Sequence, residues 1–214
     1  MPGKTNKYAT LNSMLAGIEK LFLSVVTGLV FPILLGVAGW WGSRPFVPES
    51  AIVYFALGGF VLGVLIDGIF LGSWVRKALN LPLIWPVLVF LFYSVGMFGF
   101  FMGVPAFNVI MGPLGGYYVG MRLRAANTQK DEVDRKAGQA GAFTAFVLAI
   151  ACAASLVIAA LDPSLEANIN GMFALANPIS RTAILALSTA AGVGLVMLEY
   201  AITRAAVKFA RFLD

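Results

Sequence analysis

Forty-four consecutive residues, Ala78 to Met121, contain no Asp, Glu, Lys or Arg. A bilayer core about 30 Å thick is crossed by roughly 20 helical residues rising about 1.5 Å each. The stretch therefore holds two crossings and a short turn, a pattern foreign to soluble domains. Its turn is legible at Gly103-Val104-Pro105, after the aromatic-rich Phe98–Phe101. Pro105 suits the first turn of a new helix, where its missing N–H is not needed. A second break, Gly112-Pro113, falls inside the second crossing and predicts a kink there.

The rest of the chain has the same character. Sixty per cent of the residues are hydrophobic and 12% charged, with a mean hydropathy of +0.88, whereas soluble domains carry about a quarter charged residues. No ten-residue segments of alternating polarity suggest a membrane β-barrel. The fold class expected is all-α: a polytopic membrane protein with a six-transmembrane-helix bundle forming one membrane domain over 1–214. The spans are read at about 21–41, 52–74, 83–101, 105–121, 140–161 and 182–203. Pro32 is a kink position in the first, and Trp40-Trp41 at its end suit the headgroup level.

Between the spans, the polar residues 1–13 are expected along the membrane surface or loose. Residues 122–139 form a charged helical segment leading into the fifth span. There Thr128-x-x-Asp131 has the form of a capping box, and Asp131/Arg135 and Glu132/Lys136 have helix-supporting i,i+4 spacing. The loop 162–180 carries the apolar run Met172-Phe173-Ala174-Leu175, which suits the interface. After the sixth span the helical pattern continues to Leu213 as an amphipathic tail.

Orientation follows from the basic residues. With the N-terminus inside, thirteen Lys and Arg face the cytoplasm, and only Arg44 and Arg181 face out. That asymmetry is a positive-inside signal, giving N-in/C-in topology in a cell (plasma or inner) membrane. It also accounts for the net charge of +5: the partners implied are the bilayer and anionic lipids of the cytoplasmic face, not nucleic acid. A homo-oligomer or a membrane partner subunit is compatible with so little soluble mass.

The chain has no histidine and one cysteine, Cys152. Imidazole bases and His-based metal or haem sites are thereby excluded. No catalytic set, cofactor motif or metal site is expected, and the chain is not read as an enzyme. The sharpest candidate for chemistry is Asp67. It lies seven residues before Trp74, so about 10 Å into the hydrocarbon at helical rise. A carboxylate at such depth costs on the order of 3 kcal/mol to insert and faces protein or water. Gly59, Gly63 and Asp67 form one stripe, which places the acid in a close helix–helix seam. It is either a proton or cation site, or a structural fastening hydrogen-bonded to Tyr93, Ser94 or an inner-side Arg.

Glu199 and Glu19 are secondary candidates. Either they pair with Arg204 and Lys20 at the interface, or they converge with Asp67 into an inward-facing vestibule attractive to cations. Asn108 with the Gly112-Pro113 break is the last. Pro113 cannot donate to the Val109 carbonyl, and free carbonyls beside an Asn are what broken transporter helices offer to ions. The glycine stripe Gly112, Gly116, Gly120 reads as a packing face.

The function expected is a transporter or channel-like subunit for a cation, a proton-coupled solute or a small organic molecule. The alternatives are a non-catalytic scaffold or assembly subunit and, further off, an intramembrane lipid-modifying enzyme, for which no nucleophile, base or metal set is assembled. The orientation is directly testable. In a Cys152→Ala background, Ser50→Cys should react with a membrane-impermeant maleimide in intact cells, and Asn127→Cys only after permeabilisation. The reverse labelling pattern overturns the assigned topology.

Overall fold

The computed structural model describes residues 4–173 and 177–213, with side chains from residue 14 onward. Met1–Gly3, and Ala174 and Leu175 of the apolar loop run, lie outside them. Every regular element among the described residues is helical: α1 (Lys4–Gly28), α2 (Val30–Ser43), α3 (Glu49–Lys77) with a single 3-10 turn after it (Ala78–Asn80), α4 (Ile84–Phe100), a longer 3-10 helix (Pro105–Ile110), α5 (Met111–Ala125), α6 (Lys130–Leu161), α7 (Leu165–Met172) and α8 (Arg181–Arg211). They form two compact units, one ending at Trp85 and one running from Pro86 to Leu213.

Four stretches are long and apolar enough to cross a membrane: Met14–Ser43, Glu49–Asn80, Lys130–Leu161 and Arg181–Arg211. They contain the first, second, fifth and sixth spans read from the sequence. The third expected span, α4, is apolar but only 17 residues long. The fourth is divided between the 3-10 helix and the 15 residues of α5, whose last turn holds Arg122 and Arg124. The turn between them is built as its residues dictate. Gly103 takes φ +81°, a conformation open to glycine without steric cost, and donates its N–H to the Phe98 carbonyl at 2.8 Å.

In the first unit α2 and α3 run antiparallel. A Cβ at Gly39, Gly59 or Gly63 would fall onto the backbone of Phe55, Leu35 or Pro32, so glycine alone permits this approach. The helix bearing the first span is interrupted at Leu29, between α1 and α2. Beyond the interruption the contact loosens: Gly17 of α1 has nothing within 4 Å of its Cβ position.

The second unit is built around α8. Gly112, Gly116 and Gly120 of α5 meet Glu199, Thr203 and Val207 in turn, with Cβ positions only 2.5 Å from the Thr203 and Val207 carbonyl oxygens at the last two. Both series advance together by four, so α5 and α8 are parallel. Against α6 the order reverses. Asp134 pairs with Lys208, Thr144 with Thr203, and Gly192 lies on Cys152, so α6 is antiparallel to both. One end is basic and tied together: Arg124 Nη1 donates to the Ala210 carbonyl at 3.0 Å and Lys208 reaches Asp134 at 2.6 Å. Arg124 thereby satisfies a carbonyl in the last turn of α8 that has no helical partner. At the far end Asn170 brackets the backbone of Ile179, giving to its carbonyl and taking its N–H. There the Ser164 hydroxyl and N–H hold the exposed Asp162 carboxyl below its usual range.

Three local expectations are corrected. α6 begins at Lys130 with Gln129 as N-cap and no side-chain cap bond, so Thr128 and Asp131 form no capping box. The extended Gln129 shifts the start of the helix by one residue, which breaks the spacing that box needs. Arg135 pairs with Glu132, one turn back, at 3.4 Å, in place of the i,i+4 arrangement. The fourth span has no kink within a continuous α-helix, because the chain changes from 3-10 to α at Met111. Gly112 and Pro113 therefore occupy the first turn of α5, where a proline costs no hydrogen bond.

Seam packing has a measurable consequence. Gly116→Ala drives a methyl onto the Thr203 carbonyl and should cost about 1–3 kcal/mol, the usual price of overpacking. Gly96→Ala, which meets nothing within 4 Å, should be neutral. Thermal unfolding in detergent reads both, and equal midpoints would overturn the role given to this seam.

Candidate functional site

Asp67 belongs to the first unit. It lies one turn beyond Gly63 on the face of α3 that turns toward α1 and α2, and it is 7% exposed. Its Oδ2 is 3.9 Å from the Cβ position of Gly28, and its Oδ1 is buried with no hydrogen-bond partner. Gly28 is the last residue of α1. Pro32, four residues on, has no N–H to give the Gly28 carbonyl, so the helical bond that would span the interruption cannot form. The helical course is kept on either side, with Leu29 N–H bonded to the Val25 carbonyl and Ile33 N–H to that of Leu29 at 3.2 Å each, so the carboxyl stands opposite a single missing bond in the helix.

An open groove of about 650 Å³ runs at this level, lined by Gly28, Leu29, Pro32, Val64, Asp67 and Leu71 among others. A second, of about 540 Å³, follows along α1 and α3 and includes Glu19, Lys20 and Arg76. The two share Ser24, Leu71 and Gly72, so they form one groove with Asp67 toward one end and three charged side chains toward the other. Two sequence candidates, Asp67 and Glu19, are brought onto this groove.

The other three lie in the second unit. Asn108 sits in the 3-10 helix, 4% exposed. Its Nδ2 donates to the Ser94 carbonyl at 2.9 Å, and its Oδ1 is buried without a partner. The Val109 carbonyl expected to be free accepts the Met111 N–H, as does that of Asn108. The 3-10 winding before α5 supplies the donor that Pro113 withholds. Tyr93, half-buried on α4, packs edge-on to Phe92 at 5.4 Å. Within the second unit, Ser94 Oγ is buried with no hydrogen-bond partner.

Glu199 overturns its expectation most plainly. It is 1% exposed, its carboxyl lies 2.5–2.6 Å from where a Gly112 Cβ would be, and Oε2 has no partner. The interfacial pair with Arg204 fails on geometry. Five residues at about 100° each put the two side chains roughly 140° apart around the helix. Arg204 turns instead to Tyr200, with its guanidinium 5.5 Å from the ring centroid. Thr203, four residues from Glu199, shares its face and meets Thr144 hydroxyl to hydroxyl at 2.8 Å. Sequence reading missed that pair, since a Thr on each of two helices has no meaning until their register is known. The irregularity at Leu29 lies within the turn before Pro32, the kink position expected in the first span.

Among the described residues no three His, Cys, Asp or Glu gather to hold a metal ion. The arrangement offers instead two isolated buried carboxyls in different settings, Glu199 in a packed seam and Asp67 beside open space. A double-mutant cycle tests the first setting. Gly112→Ala should destabilise the protein, and much less so in a Glu199→Ala background, with a coupling of about 0.5–3 kcal/mol. Equal costs in both backgrounds would overturn this placement.

No family model, no curated protein and no solved structure matches this chain, so the functional reading rests on these residues.

Proposed function

We propose that this chain is a membrane transport subunit that binds a cation, or a solute moved with protons, at Asp67. The observation that carries the reading is a buried carboxyl with an unpaired oxygen, beside the bond that Pro32 withholds and on an open groove of about 650 Å³. Acids within spans normally face such interiors and mark ion or substrate paths, and broken helices line the sites of many transporters. Four long crossings are joined in this reading by two shorter ones, α4 and the 3-10 helix with α5. The parallel course of α5 and α8, with α6 reversed between them, supports that alternation. Both termini then lie on the cytoplasmic side of a plasma or inner membrane, where the basic ends of α5 and α8 meet anionic headgroups. A partner subunit or a second copy would complete a pathway that so small a chain does not enclose alone.

One observation favours the scaffold reading. The α5–α8 seam sets Gly116 and Gly120 against backbone and Gly112 against the Glu199 carboxyl, a surface made for holding helices and without room for a solute. Asp67→Asn separates the two functions. It should express and fold as the parent does while abolishing cation- or pH-gradient-dependent flux in proteoliposomes. Full flux in that variant would end the transport reading and leave the scaffold.

A further inference from the structure

The groove between α1 and α3 narrows the kind of molecule that Asp67 would receive. This step rests on the transport reading and names the ligand class of the same site. A bare metal cation fits poorly. It needs several oxygens to replace its water, and the only side-chain oxygens on this lining are those of Asp67 and Ser24, among Leu29, Val64 and Leu71. A proton needs no cavity at all. The space of about 650 Å³ falls within the range of small-molecule sites, roughly 300–1,000 Å³, which are mostly apolar with a few placed polar groups. An anion would meet the wrong charge at this level, since the basic side chains Lys20 and Arg76 line the adjoining stretch, beside Glu19. A hydrocarbon chain would fill the groove but leave Asp67 Oδ1 desolvated and unpaired, the costly outcome for a buried acid.

We propose that this groove binds an apolar organic cation, with the cationic centre against the Asp67 carboxylate and the hydrocarbon body along Leu29, Val64 and Leu71. Phe60, which also lines the cavity, adds an aromatic surface of the kind that attracts such cations. Where α2 lies on α3 at Gly39, Gly59 and Gly63 the glycines meet backbone, and the groove runs beside that seam from Phe60 and Pro32 to Asp67 and Gly72.

Tetraphenylphosphonium is a suitable probe, with the full-length chain in lipid nanodiscs and its uncharged counterpart triphenylphosphine oxide as control. Saturable binding of the cation and none of the oxide is expected. Asp67→Asn should weaken it roughly 30-fold or more, the usual effect of removing one partner from a desolvated charge pair. Gly68→Leu gives a second variant. Gly68 lines the cavity and has nothing within 4 Å of its Cβ position, so a leucine there occupies the groove without a clash and should abolish binding in a protein that elutes as the parent does. Undiminished binding to both variants, or equal binding of the oxide, overturns the proposal and assigns the groove to hydrocarbon such as lipid chains. Loss of cation-dependent flux in Asp67→Asn with no tetraphenylphosphonium bound by the parent also overturns it, while leaving the transport reading intact. Binding lost in Asp67→Asn with flux unchanged upholds the ligand class and removes the transport reading instead.

Discussion

Two helices in hydrocarbon gain nothing by hiding apolar surface from lipid that is just as apolar, so their association depends on close contact. In this chain that contact is made by a row of glycines, used once in each unit and set against backbone everywhere but at Gly112, which meets the Glu199 carboxyl. Gly39, Gly59 and Gly63 bring α2 and α3 together, and Gly112, Gly116 and Gly120 bring α5 onto α8. Each seam fixes a register, and the register decides which polar side chains end up inside. Thr203 meets Thr144, and Glu199 lies over Gly112, because the four-residue repeat of one helix is laid on that of the other.

The seams also explain what was legible from the sequence. Long uncharged stretches fixed the helices, since a span must satisfy its backbone internally and must be apolar outside. The glycine stripes pointed to packing faces, and Gly103 to the turn where positive φ is found. Partners could not be read. A stripe such as Gly112, Gly116, Gly120 says that something comes close, and it took coordinates to show that α8 does so in parallel. Helix termini were hidden for a related reason. Thr128 and Gln129 are adjacent and both polar, and one residue of difference in where α6 begins removes the capping box that the spacing suggested. The status of Pro113 was hidden too, because a proline in mid-helix and one in a first turn look alike until the preceding residues are known to be 3-10.

Of the candidate site, the residue types were visible and their surroundings were not. Of the two alternatives for Glu199, the interfacial pair rests on Arg204 being near in sequence, yet closeness along a helix is not closeness around it. Glu199 went to the core instead, opposite the one residue type that leaves room for its carboxyl. Asp67 was placed in a helix seam on the strength of Gly59 and Gly63, and it lies one turn beyond the tight part of that seam, where the helices begin to part.

That one turn separates the two acids in what they can do. A carboxyl pressed against Gly112 has no free volume beside it, so exchanging it with a ligand would require α5 and α8 to separate along a seam that the unit is built on. Asp67 needs no such movement. Its backbone-to-backbone seam has already ended, and past Gly63 the approach of α1 to α3 runs through side chains, with Leu71 3.3 Å from the Cβ position of Gly28. An open groove borders Asp67 in the folded chain, and glycine closes the contact only up to Gly63. A binding site at that point requires only that the tight contact stop one turn before the acid, which the spacing Gly59, Gly63, Asp67 provides.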